Sequence, residues 1–123
     1  MKIIYLASEV VPFSKTGGLA DVAGALPKAL KLIGHDVRVY TPRYKNTKAA
    51  PYLPESEVPV IFFEDDKYFG GRAELYQIKG VDYPDNLERF AAYCRAILPR
   101  LKEQNWRPDV IHCNDWQTAL VSA

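Results

Sequence analysis

Ile3-Ile4-Tyr5-Leu6-Ala7, followed by Ser8-Glu9-Val10-Val11-Pro12-Phe13-Ser14-Lys15-Thr16-Gly17-Gly18-Leu19, opens the chain. The first five residues are apolar at every position, as in a strand covered by helices on both faces of a parallel sheet. After the loop with Pro12 and Gly17-Gly18, apolar residues recur at Leu19, Val22, Ala23, Leu26, Leu30 and Ile33. That spacing predicts an amphipathic helix, kinked or split at Pro27 and ended by Gly34. Asp36 to Thr41 then reads as a second strand, stopped by Pro42. The opening is therefore strand, helix, strand.

Further along the signal is uneven. Arg43 to Glu57, with Pro51 and Pro54, reads as loop. Val58 to Phe63 reads as a strand, which Pro59 confines to a sheet edge or to the residues after the proline. Glu64 to Gly80 shows no clear period beyond a short strand within Ala73 to Ile78. A helix is plain from Leu87, Phe90, Ala91, Cys94, Ile97, Leu98 and Leu101, with Asp85 and Glu88 spaced as a capping box. Asp109 to Cys113 reads as a short buried strand, and Asn114 with Gln117 as the cap of a last helix reaching Leu120 and Val121. Alternating strands and helices predict an α/β domain, a doubly wound and mostly parallel Rossmann-like sheet.

Composition narrows the function. The 123 residues are 48% hydrophobic, with eight Tyr, five Phe and two Trp, enough for one compact domain. Sixteen basic and fifteen acidic side chains give a formal charge of +1. With no long run of either sign, nothing argues for nucleic acid or a membrane surface as partner. The two cysteines, Cys94 and Cys113, have no metal-ligand spacing, and a reducing compartment is the default expectation. The apolar start is too short for a secretory signal, and nothing approaches the roughly 20 apolar residues of a membrane span, so a soluble cytoplasmic protein is expected.

In a doubly wound sheet, ligands bind beyond the carboxyl ends of the strands, where strand order reverses. The topology brings the loop Ser8–Gly18 opposite the loop Asn114-Asp115-Trp116-Gln117. Gly17-Gly18 before a helix either lets backbone N–H groups approach an anion or merely makes the turn. Lys15 is correspondingly a mobile cation beside those amides or a solvated charge, and Thr16 adds a hydroxyl donor. The pattern is neither the Gly-x-Gly-x-x-Gly dinucleotide fingerprint, which argues against an NAD domain, nor a Walker loop. In the facing loop His112, Asn114, Asp115 and Gln117 offer sugar-compatible hydrogen bonds, and Trp116 a flat face for a pyranose ring or for the core. Each has a plain alternative: His112 as a satisfied buried histidine, and Asp115 as an acid matched to a helix dipole. Arg89 either reaches the crevice or pairs with Asp85. No catalytic triad, metal cluster or glycosidase carboxylate pair can be assembled.

Residues Ser8 to Val22 nonetheless resemble the opening signature of bacterial glycogen synthases and plant starch synthases, including the Lys-x-Gly-Gly-Leu motif at Lys15 to Leu19. Gly24-Ala25-Leu26-Pro27, Gly34-His35-Asp36-Val37, Tyr83 to Phe90 and His112 to Leu120 continue the likeness in family order. The resemblance implies a metal-independent, retaining transfer of glucose from ADP-glucose to the non-reducing end of an α-1,4-glucan, with no cofactor, in the cytoplasm or in a plant plastid. It implies that Lys15, Thr16, Gly17 and Gly18 meet the donor, with Asp21 supporting. It makes Asp115 the acidic residue of the catalytic cleft and places His112, Asn114, Trp116 and Gln117 around the sugar. It further implies that residues 1–123 are part of the N-terminal Rossmann-like domain, truncated, with the C-terminal donor-binding domain absent. Alone, the chain is then expected to be nearly inactive, and an assembly module that self-associates is the alternative. The segment between Arg43 and Phe62 is shorter than is usual in the family.

Overall fold

The computed structural model describes all residues, Met1–Ala123. Strand β1 (Lys2–Leu6) leads through a loop to α1 (Gly18–Leu32), and β2 (Asp36–Pro42) follows. After a long connection come β3 (Val60–Phe63), a π-helical turn over Asp66–Gly70 and a hairpin of β4 (Gln77–Ile78) with β5 (Val81–Asp82). Helix α2 (Asn86–Glu103), β6 (Val110–Cys113) and a 3-10 helix over Trp116–Ser122 complete the chain. The main sheet has the order β3-β2-β1-β6, all parallel, with Ile3 opposite both Val37 and Val110.

The apolar run of β1 divides between two cores, because successive side chains leave a strand on opposite faces. Ile4 and Leu6 join Tyr40, Ile61 and the α2 residues Phe90, Tyr93, Cys94 and Ile97 on one face. Ile3 and Tyr5 join Val37, Val39, Val60 and Ala23 of α1 on the other, with Leu26 and Leu30 packed against them. The doubly wound expectation therefore holds in detail.

Several local expectations do not. Helix α1 is not split, and Pro27 is buried inside it. Val22 and Ile33, read as part of its apolar face, are exposed, since the face on the sheet runs through Ala23, Leu26 and Leu30. Asp85 caps nothing with its side chain. Its carboxylate instead takes two hydrogen bonds from Arg72, at 2.7 and 2.6 Å, which hold its pKa below the ordinary range. Strand β6 is an exposed edge, not a buried strand, with Val110, Ile111 and Cys113 all open to solvent. Both readings of Pro59 are right: β3 starts at Val60 and lies at the other edge.

Candidate functional site

The sheet reverses direction between β1 and β6, and the loops that follow them meet there. Asn114 makes the junction: its amide donates to the Leu6 carbonyl at 2.7 Å, and its oxygen accepts from the Tyr5 hydroxyl at 3.2 Å. With its amide tied to β1 in this way, the Asn114 side chain does not cap the last helix. His112 lies opposite Tyr5 in the register and stacks on its ring, centroids 4.6 Å apart. Gln117 turns inward, 3% exposed, with its side-chain oxygen Oε1 unpartnered, while its backbone carbonyl accepts from the Cys94 thiol at 3.3 Å. Gln117 is thus built into the protein interior, while His112 stays half-buried on the edge strand.

Asp115 and Trp116 remain at the surface. Asp115 has φ 63° and ψ −176°, a region essentially reserved for glycine. Its carboxylate accepts from the Trp116 N–H at 2.7 Å, so Asp115 and not Asn114 caps the 3-10 helix. Trp116 is half exposed, its ring set edge-on against Phe90 at 5.1 Å and tilted beside Tyr76 at 6.2 Å.

Across the crevice, Gly17 precedes α1 and no side chain caps the helix, which leaves N–H groups of its first turn open. Neither Gly17 nor Gly18 has a left-handed backbone, and a Cβ on either would meet nothing within 4 Å. The local chain therefore has no steric need of glycine there, which removes the physical basis for a purely turn-making pair. Gly24 contrasts: a Cβ there would sit 3.0 Å from the Val11 carbonyl oxygen, so α1 packs on the loop through it. Lys15 Nζ lies 2.9 Å from both carboxylate oxygens of Asp21, and both side chains are more than half exposed. The hydroxyl of Thr16 does not face the crevice as a free donor; it donates to Glu9, at 3.0 Å to the nearer oxygen.

Sequence reasoning missed the residue that joins the two loops, Tyr76. Its hydroxyl is 2.6 Å from Ser8 Oγ, and its ring lies against Trp116 and Phe90. Burial pushes the phenol pKa up, and the nearby charges of Glu9 and Asp115 push it the same way. Tyr76 lies in the stretch with no periodic signal, held by contacts distant in sequence. Arg89, expected at the crevice or on Asp85, does neither. It is fully buried, donates to the carbonyls of Tyr68 and Leu75 and to Asn86 Oδ1, and is flanked by the rings of Phe69, Tyr83 and Phe90. No group of three His, Cys, Asp or Glu side chains converges in metal-binding geometry.

With this geometry in place, residues 2–123 match the model of the starch synthase catalytic domain. The chain belongs to that family. It is 45% identical to a glycogen synthase of Geotalea uraniireducens and 46% identical to glycogen synthase 2 of Geobacter metallireducens, over 98% of its own length in each case. The solved catalytic domain of starch synthase IV from Arabidopsis thaliana, bound to ADP and acarbose, superposes with a TM-score of 0.80 at 30% identity, covering 98% of this chain and 29% of that one. The chain spans 30% of the length of those two glycogen synthases. Their alignments run over 145 residues against the 123 here, so these family members carry positions with no counterpart in this chain.

Proposed function

We propose that the chain forms one wall of a glucosyltransferase cleft that moves glucose from ADP-glucose to the non-reducing end of an α-1,4-glucan with retention. The observation that carries this reading is the Gly17-Gly18 pair, unneeded by the local backbone, at the uncapped start of α1 and beside Lys15. In the transfer, the bond from glucose C1 to the phosphate oxygen breaks and ADP leaves with the electron pair. The acceptor hydroxyl oxygen bonds to C1 on the face the ADP left, and its proton is released.

Charge builds on the departing diphosphate, where Lys15 and the first N–H groups of α1 would stabilise it. Asp21 holds Lys15 in place until an anion competes for it; an ion pair this exposed is worth under about 1 kcal/mol, so exchange is easy. Asp115 supplies the acidic group of the cleft and Trp116 a ring for the sugar, while Asn114, His112 and Gln117 set the loop that carries them. No metal or cofactor is called for. The opposing wall, a C-terminal donor-binding domain, lies outside residues 1–123, so this chain alone binds donor weakly and transfers glucose negligibly. The same reading places the enzyme in the cytoplasm, or in the plastid of a plant; no helix of the chain is long and apolar enough to cross a membrane.

ADP titrated into the chain should bind weakly and lose most of that affinity in Lys15→Ala. Binding indifferent to that substitution would overturn the assignment. A second reading, self-association, is favoured by one observation: β6 leaves a parallel edge unpaired, with Val110 and Ile111 exposed on it.

A further inference from the structure

Glu9 is 3% exposed, yet no cation faces it in an ion pair. Lys15 is bound to Asp21, and Arg89 directs its Nε and Nη1 to carbonyls and Asn86 and makes no ion pair with Glu9. A carboxylate taken out of water is costly unless hydrogen bonds replace the lost hydration. Here the hydrogen bonds to the carboxylate come from the backbone N–H and the hydroxyl of Thr16, and the Tyr76 hydroxyl lies near it on the other side. Glu9 thereby closes the loop from residue 9 to residue 16, two positions before Gly18, which starts α1.

The ground under Glu9 is firm. Its neighbour Ser8 is fully buried, and the Ser8 carbonyl accepts from the Tyr44 hydroxyl at 2.7 Å while its Oγ meets Tyr76. Inside the loop, the N–H groups of Phe13 and Ser14 both donate to the Val10 carbonyl, and Ser14 Oγ accepts from the Val10 N–H. From the far side, Thr47 donates to the Phe13 carbonyl. Glu9 thus links a fixed strand end to Thr16, with Lys15 on one side and Gly17-Gly18 on the other.

We propose that Glu9 is a positioning residue of the nucleotide-sugar loop: by gripping Thr16 from within, it sets where Lys15 and the Gly17-Gly18 amides stand, without touching the ligand. The proposal rests on the phosphate-binding reading of those residues. It has a distinctive sign. The acceptor geometry of Glu9 favours anion binding, whereas its negative charge, behind the loop, opposes it. Glu9→Gln keeps an acceptor for the Thr16 N–H and removes the charge, so it should bind ADP at least as tightly as the unaltered chain. Glu9→Ala removes the acceptor and should weaken ADP binding roughly tenfold or more.

Amide-resolved nuclear magnetic resonance of the chain tests this with and without ADP. Without ADP, Glu9→Ala should speed hydrogen exchange at Thr16 by at least roughly tenfold and move the Gly17 and Gly18 resonances, while β2 resonances stay in place. Glu9→Gln should restore both. Unchanged Thr16 exchange and glycine resonances in Glu9→Ala would overturn the proposal whether or not ADP binds. With ADP, failure of the unaltered chain to respond at Gly17 and Gly18 counts against the phosphate-binding reading itself. A response that survives undiminished in Glu9→Ala sinks only the role of Glu9.

Discussion

Asp115 sits in backbone space that non-glycine residues avoid at a cost of about 1–3 kcal/mol, yet it is the acid that the family resemblance places in the cleft. Strain of this kind persists where surrounding contacts over-determine the backbone. Here Asn114 pins the residue before it to β1, and Trp116 packs against α2 after it. Asp115→Gly should therefore be more stable than Asp115→Ala by about 1–2 kcal/mol in denaturant titrations, although both lose the carboxylate that caps Trp116. Equal stability of the two variants would mean that the backbone carries no such strain. The type of residue at 115 was plain from the sequence. Its backbone was not, since the turn that forces it is closed by Leu6 and Phe90, far off in the chain.

At the level of elements, the apolar pattern read most reliably where the packing environment is uniform along the element. Helix α2 stands where expected because its apolar face meets one face of the sheet through Phe90, Cys94, Ile97 and Leu101, although Leu87 and Leu98, read as part of that face, are exposed; β1 stands because both of its faces are covered. Capping chemistry read poorly. Asp85 and Asn114 both have better partners across space, Arg72 and Leu6, than the helix ends beside them. The tract from Glu64 to Gly80 has no period because it is held from outside, by Arg89 of α2 on the Tyr68 and Leu75 carbonyls. Strand β6 reads as buried, being apolar, but is an edge in this chain, and an apolar edge strand invites pairing. Sedimentation at rising concentration should show dimers that Ile111→Lys suppresses; a strictly monomeric chain at millimolar concentration would refute pairing through β6.

Over the whole molecule, the cores are rich in tyrosine. Tyr40, Tyr44 and Tyr93 are essentially sealed, and burial is the largest cause pushing their phenol pKa values, and that of Tyr76, well up. Their hydroxyls are used inside: Tyr93 donates to the Tyr40 carbonyl at 2.6 Å, Tyr40 to the Tyr93 carbonyl at 3.2 Å, and Tyr44 to Ser8. A group whose pKa is raised by folding contributes full stability below its unfolded value and loses it as pH climbs toward the folded one. Above about pH 10 the unfolded chain ionises while the folded chain keeps its protons, and each such tyrosine removes up to about 1.4 kcal/mol per pH unit. Thermal melts should therefore fall steeply between about pH 10 and pH 11. A melting temperature that is level across that interval would show these tyrosines ionising without unfolding.

What the sequence by itself determined is the alternation of strands and helices, the doubly wound sheet, the family, and the two loops that meet beyond β1 and β6. Those depend on local periodicity and contiguous motifs, which linear order preserves. Only the tertiary structure decided which side chains in those loops are free to act. It turned Thr16 to Glu9 and Asn114 to β1, left Lys15 and Asp115 facing solvent, and set Tyr76 between Ser8 and Trp116. The physical reason is that a polar side chain goes to its best unsatisfied partner once the chain has packed, and that partner is set by contacts across space that no spacing along the sequence encodes.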